Sequence, residues 1–368
     1  MRKTRVVINK SDLLDNFKFI KSQAPGAKII PVVKANSYGH GSVEVSKILS
    51  AAGGVHAFAV AYTEEAVQLR KAGIKEPIII LVQQSEEDIP EIVEYDLQPA
   101  VSALSFLKAI SRESERVGKS ARIHLFIDSG MSRDGVWCED ALDFMLEAKE
   151  LKNIEYEGMC THFSSSSLDP KFTQYQLDNF NKAVDTLKSN GFEFKLLHTA
   201  SSAAIINYPE ARFNAVRCGI ALYGYPPDDQ ISYKYNIKPI LTLKTNVAMI
   251  RRIKKGDSVS YNRLFIADKD TNIATLPLGY GDGYFKSLTS KSECIINDKV
   301  YPIVGSICMD EVMVDLGDDD VKIGDEVILI GSSEHHSISA SDIAKKINTI
   351  SYEVTTLIAP RVPRVYVD

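Results

Sequence analysis

HAFAVAYTEEAVQLRKAGIKEPIIILV, residues 56–82, holds the reading of the fold. The apolar run His56–Tyr62 has strand length. Thr63–Ala72 follows with a Thr cap and a glutamate-rich first turn, the signature of a helix start. Pro77–Val82 is then a second short apolar run. Strand, helix, strand in so few residues is a βαβ unit, and repeated units build a parallel sheet.

The same alternation extends in both directions. Further candidate strands are Lys28–Ala35, Gln98–Val101, Arg122–Asp128, Tyr156–His162, Leu196–Ala200 and Ala215–Tyr223, eight in all. Helical patterns separate them, including Ser102–Val117 and Lys171–Ser189. Eight units in about 220 residues match an α/β fold closed as a (β/α)8 TIM-type barrel, with a doubly wound open sheet as the alternative. The pattern changes after Pro226–Pro227. Leu241–Ile250, Asn272–Leu278, Ser292–Ile296, Lys299–Val304, Glu311–Asp315 and Glu326–Ile330 read as strands, with one helix at Ser339–Ile347. This is a C-terminal, mostly antiparallel β domain. The domains are expected at 1–228 and 229–368, with a linker at Tyr225–Asp229 and the first residues available to the β domain.

Composition narrows the function. The chain has 368 residues, 45% hydrophobic and 25% charged, which is ordinary for a globular protein and excludes collagen-like or disordered classes. A net charge of −5 gives no basic footprint for nucleic acid. No apolar run is long enough for a bilayer, and no secretory leader pattern opens the chain. Five scattered cysteines lack metal-ligand spacing and suggest reduced thiols in the cytoplasm.

Lys34, in IIPVVKANSYGHG (29–41), sits where a barrel strand would open onto the active-site face. Burial there lowers an ammonium pKa and makes the amine a nucleophile. A lysine that snorkels into solvent is the plain alternative.

The string VVKANSYGHG closely resembles the cofactor-lysine signature of bacterial alanine racemases, the fold type III amino-acid racemases that use pyridoxal 5′-phosphate (PLP). Blocks in the family's order follow: IDSGMSRDG (127–135), HTASSAA (198–204), AVRCGIALYG (215–224), VSYNRLF (259–265), LPLGYGDGY (276–284), ICMDEVMVDL (307–316) and APRVPRVY (359–366). The resemblance implies the same two-domain architecture and PLP on Lys34 as a Schiff base. It implies Lys34 and Tyr261 as bases on opposite faces of the substrate Cα, with Tyr261 supplied by the other subunit of a homodimer. A phenol titrates near pH ~10, so such a tyrosine needs a cationic neighbour. By the same resemblance Arg217 faces the pyridine nitrogen and His162 lies beside the ring. Tyr38, Ser202 and the backbone of Gly219 and Ile220 hold the phosphate. Arg133, Met309 and Asp310 meet the substrate carboxylate, and Tyr284 narrows the substrate entrance. Read alone, Ser201–Ser202 is a helix N-cap and Tyr284 a packing aromatic. No metal is implied.

The activity implied is racemisation of alanine, supplying D-alanine for peptidoglycan, with a serine or broad-specificity racemase as the alternative. Barrel decarboxylases are disfavoured because they pair the ring nitrogen with a carboxylate, and cofactor-binding barrels without chemistry because they lack the second domain. Three departures stand out. The family's lysine seven positions before the carboxylate arginine is Phe126 here. Pro360 stands where a phosphate tyrosine is expected. DSGMSR replaces the commoner DTGMGR.

Overall fold

The computed structural model describes residues 3–228 and 234–368, which form two compact units. One comprises Leu13–Ser37 and Gly41–Lys238. The other comprises the residues up to Asp12, the short segment Tyr38–His40, and Pro239–Asp368. The expected linker and boundary run into residues 229–233, which lie outside the described residues.

The N-terminal strand β1 (Arg5–Asn9) belongs to the second unit, and the first unit begins its sheet with β2 (Lys28–Pro31). Its other strands are β3 (Phe58–Val60), β4 (Ile78–Ile80), β5 (Gln98–Val101), β6 (Ala121–Asp128), the short β7 (Val136–Trp137), β8 (Ile154–Cys160), β9 (Leu196–His198) and β10 (Ala215–Cys218). The main path runs β2-β10-β9-β8-β6-β5-β4-β3, with β7 paired to β6 alone. All pairings are parallel. Bridges Ile29↔Val55 and Val32↔Ala59 join the two ends. The sheet is therefore the closed barrel that the alternation predicts, not the open one.

Successive strand residues face opposite sides. On β6, Leu125 and Ile127 face outward and pack with Met159 of β8 and with Phe180, Ala183 and Leu187 of the helix Pro170–Ser189. Asp169 caps that helix by accepting from the Phe172 amide at 3.0 Å, and Pro170 occupies its first turn. Each fully buried Leu or Phe of this layer contributes about 2 kcal/mol. The alternate residues His124, Phe126 and Asp128 point inward. There Phe126 clusters with Ala100 and Cys160, and the buried polar side chains Gln98, His124, His198 and Arg217 share the interior.

In the second unit the sheet uses β11 (Leu241–Asn246), β12 (Met249–Ile253), β15 (Thr271–Leu276), β16 (Glu293–Ile296), β17 (Lys299–Val304), β18 (Val312–Gly317), β19 (Glu326–Ser332), β20 (Ser337–Ile338) and β21 (Arg364–Val367). The two short strands β13 (Ser258–Val259) and β14 (Phe265–Ile266) form a separate ribbon. Pairing in the large sheet is antiparallel except between β1 and β21. The single run expected over Leu241–Ile250 is two strands, β11 and β12. The helix Ala340–Ile347 has a full capping box between Ser339 and Asp342. A second helix, Ser351–Thr356, was not evident from periodicity because it is under two turns long. All five cysteines are free, and among the described residues no helix is long and apolar enough to cross a membrane.

Candidate active site

The strand carrying Lys34 is shorter than its apolar run suggests. It ends at Pro31, and Lys34 opens a left-handed turn in which Ala35, Asn36, Ser37 and Tyr38 all have φ of 50–55°. Non-glycine residues pay about 1–2 kcal/mol each for this hand. Surrounding hydrogen bonds hold it. The Ser37 amide donates to Val33 O at 2.9 Å, and the Gly41 amide to Asn36 O at 2.8 Å. The Ser42 amide donates to Asn36 Oδ1 at 2.9 Å. Glu65 ties the turn to the next βα unit: one carboxylate oxygen accepts from Ala35 and the other from Ala61 and Tyr62. Within the second unit, Gly39 (φ +87°) runs against Thr355, whose carbonyl oxygen would lie 2.0 Å from a Cβ there.

Burial lowers the Lys34 pKa, and the positive charges of Arg133 and Arg217 lower it further against the opposing Glu65. A neutral, nucleophilic amine is what this environment favours. Arg217, 3% exposed on β10, is a buried cation without a carboxylate partner among the described residues. Its NH1 group donates to His198 Nδ1 and His198 O, and its NH2 group to Thr161 O, Thr199 O and His162 Nδ1. Nε alone has no partner among the described residues. Burial first and Arg217 second push the pKa of His162 down, so the ring is neutral at pH 7.

Arg133 is exposed and makes no hydrogen bond among the described residues. Its loop is shaped by Asp128, whose Oδ1 accepts from the amides of Gly130, Met131 and Ser132 at 2.8–3.2 Å. Phe126, in the place of the family lysine, is packed in apolar surroundings and offers Arg133 nothing polar.

Ser202 does not cap its helix. Its hydroxyl accepts instead from the amides of Gly219 at 3.2 Å and Ala221 at 3.3 Å, so β9 and β10 deliver a hydroxyl and a run of amides to one place. The Ile220 amide between them has no partner among the described residues. Donors of this kind suit an anion.

In the second unit, Tyr38 packs edge-on against Tyr352, ring centroids 6.0 Å apart. Sequence reading passed over Tyr352, whose segment SYEV (351–354) gave no motif. It supplies a second phenol beside Tyr38, where Pro360 had suggested one was lost. Tyr261 is 69% exposed in the tight loop between β13 and β14, flanked by Ser260, Asn262 and Arg263 at positive φ. Met309 is exposed, and its amide has no partner among the described residues. Two bonds grip its loop: Tyr280 N to Cys308 O at 3.0 Å and Gly281 N to Met309 O at 2.9 Å. Arg361, also unforeseen, bridges Asp282 and Asp310 at 2.8 Å each. The expectation for Tyr284 needs correction. It is 2% exposed inside the sheet unit, so it is a packing aromatic. Tyr280 is the exposed tyrosine of that motif.

The first unit thus gathers Lys34, His162, Ser202, Arg217, Gly219 and Ile220, with the Arg133 charge within reach of Lys34. The second gathers Tyr38 with Tyr352, and Met309 with Asp310. An amine, a spare guanidinium N–H, the Ile220 amide and a hydroxyl fit PLP: they match its aldehyde, ring nitrogen and phosphate respectively.

Comparison with known proteins gives the family of the two domains. The family model for the alanine racemase N-terminal domain matches residues 8–227, and that for the C-terminal domain matches 240–366. An alanine racemase of Carboxydothermus hydrogenoformans is 40% identical over 370 residues, covering 100% of both chains. One of Clostridium novyi is 41% identical, covering 98% of this chain and 94% of that one. A solved alanine racemase of Clostridium difficile superposes with a TM-score of 0.95 at 35% identity, covering 100% of this chain and 96% of that one. The Bacillus anthracis enzyme, solved with bound L-Ala-P, gives 0.94 at 35%.

Proposed function

From the premise that this chain belongs to the alanine racemase family, we propose that it interconverts L- and D-alanine by a two-base mechanism using PLP held on Lys34. The observation that carries the reading is Arg217, a buried guanidinium with its other N–H groups occupied and Nε left over, in the same electrostatic neighbourhood as Lys34.

PLP, when bound, makes the hydrogen on the substrate Cα acidic. The chain's residues do the rest. With PLP bound, Arg217 would donate to its ring nitrogen and, always charged, would not surrender a proton to it. That favours prompt return of a proton to Cα over transamination. His162, neutral, accepts from Arg217 and helps fix its plane. Ser202 and the amides of Gly219 and Ile220 hold the phosphate, with Tyr38 and Tyr352 offering phenols. Arg133 and the Met309 amide hold the substrate carboxylate, and Asp310 reaches it indirectly through Arg361. Lys34 Nζ takes or gives the Cα proton on one face and Tyr261 Oη on the other. The exposure of Tyr261 on a hairpin loop supports its use by a second copy of the chain, so we propose a homodimer with shared sites. The substrate is a small amino acid, the product D-alanine serves peptidoglycan, and the place of action is the cytoplasm.

The test is racemisation followed by chiral chromatography on L-Ala, L-Ser and L-Lys with added PLP. Alanine should turn over fastest, and a clear preference for serine or lysine would overturn the substrate assignment. Lys34→Ala should abolish both turnover and the yellow absorbance of bound PLP. Persistence of that absorbance would remove Lys34 from its role.

A further inference from the structure

Barrel interiors are ordinarily filled by branched hydrocarbon side chains. Here four interior positions on β5, β6, β9 and β10 carry a polar chain instead, passing over β8 between β6 and β9: Gln98, His124, His198 and Arg217. All are at most 3% exposed. The contacts are continuous. Arg217 NH1 meets His198 Nδ1 at 2.9 Å, His198 Nε2 meets His124 Nδ1 at 2.9 Å, and His124 Nε2 meets Gln98 Oε1 at 3.1 Å.

The proton arrangement along this chain follows from one end. A guanidinium has only donors, so His198 Nδ1 must present a lone pair. A neutral His198 then carries its hydrogen on Nε2, which makes His124 Nδ1 the acceptor. A neutral His124 carries its hydrogen on Nε2, which requires the oxygen of Gln98. Both rings are neutral. Burial pushes His124 down to about 3 and His198 well below its usual value, each with the Arg217 charge adding to the effect. Charging either ring would set one N–H against another.

A second observation shows that the fold makes room for this arrangement. Gly158 on β8 lies in register with His124 and has no unusual φ that would call for glycine. A Cβ there would stand 2.1 Å from His124 Nδ1, the atom that accepts from His198. The glycine provides space, not backbone freedom.

We propose that His124 and Gln98, with Gly158 as their spacer, are positioning residues for Arg217. They hold the Nε2–H of His198, whose tautomer Arg217 sets, so the ring keeps Nδ1 on NH1 and Nε stays aimed. The proposal rests on the role of Arg217 given above, but its first test does not. In the full-length, PLP-loaded protein with 15N-labelled histidine, only seven histidines need assignment. His124 and His198 should both appear as neutral Nε2–H tautomers from pH 6 to 8. A charged ring, or His198 protonated on Nδ1, would overturn the relay whatever the activity. In Gln98→Leu and Gly158→Ala, His124 should show mixed tautomers. The absorbance band of bound PLP should shift, and kcat should fall about tenfold with KM within about twofold. Unmixed His124 resonances in folded variants would overturn the relay. Mixed resonances with unchanged absorbance and kcat would overturn its role in positioning Arg217.

Discussion

The left-handed turn after Lys34 makes a paired test of the reasoning about strain. Ala35 is exposed at φ 50° and loses no packing if its methyl is removed. Ala35→Gly relieves about 1–2 kcal/mol of left-handed strain and gives back about 0.4–1 kcal/mol through the freer unfolded chain. The net expectation is stabilisation by about 0.5–1 kcal/mol. Four residues on, Gly39→Ala meets the opposite situation. It adds the same conformational cost at φ +87° and drives a methyl to 2.0 Å from Thr355 O, which must retreat by more than an ångström. That cost is about 3–5 kcal/mol, because backbone on both sides must shift. For a chain of 368 residues one kcal/mol moves the thermal midpoint by about 1–2 °C. Ala35→Gly should therefore raise the midpoint slightly and Gly39→Ala lower it by several degrees, measured at one protein concentration with PLP saturating. A lowered midpoint for Ala35→Gly, or a neutral Gly39→Ala, would refute the account of the turn.

Tyr261→Phe should remove turnover while leaving the PLP absorbance in place, and deuterium wash-in at Cα should persist for one enantiomer and vanish for the other; equal loss of both would show that Tyr261 is not a face-specific base. Arg361→Gln frees the Met309–Asp310 loop from Asp282, so KM for alanine should rise about tenfold with kcat within about threefold, and Arg361→Lys should recover part of the loss; an unchanged KM would show that the bridge does not hold the carboxylate site. Burial keeps His124 unprotonated in the fold until pH about 3, whereas in the unfolded chain it takes a proton near pH ~6.5. The unfolded state therefore binds the extra proton between these values, and stability falls as pH drops, by about 1.4 kcal/mol per pH unit for this ring. Urea midpoints at pH 7, 6 and 5 should decline accordingly, less steeply in His124→Gln; equal slopes would mean that His124 does not carry the linkage.

Local chemistry was legible in the chain itself. Apolar runs and capped helices specified the barrel units because period and end signals act within about ten residues. VVKANSYGHG and AVRCGI singled out Lys34 and Arg217 through their resemblance to alanine racemase blocks. What periodicity could not reach was anything set by partners distant in sequence. The first residues read only as available to the β domain, and β11 and β21 decide which strands β1 joins. The left-handed turn at Ala35–Tyr38 begins on the last residue of the expected strand Lys28–Ala35, and only the acceptors at Val33, Asn36 and Glu65 make it tolerable. Tyr280 and Tyr284 are indistinguishable as letters; burial alone separates the exposed one from the packed one. His124, Gln98 and Gly158 carry no motif at all. Their meaning comes from closing the sheet, which sets side chains from four strands against one another and forces each buried donor to find an acceptor.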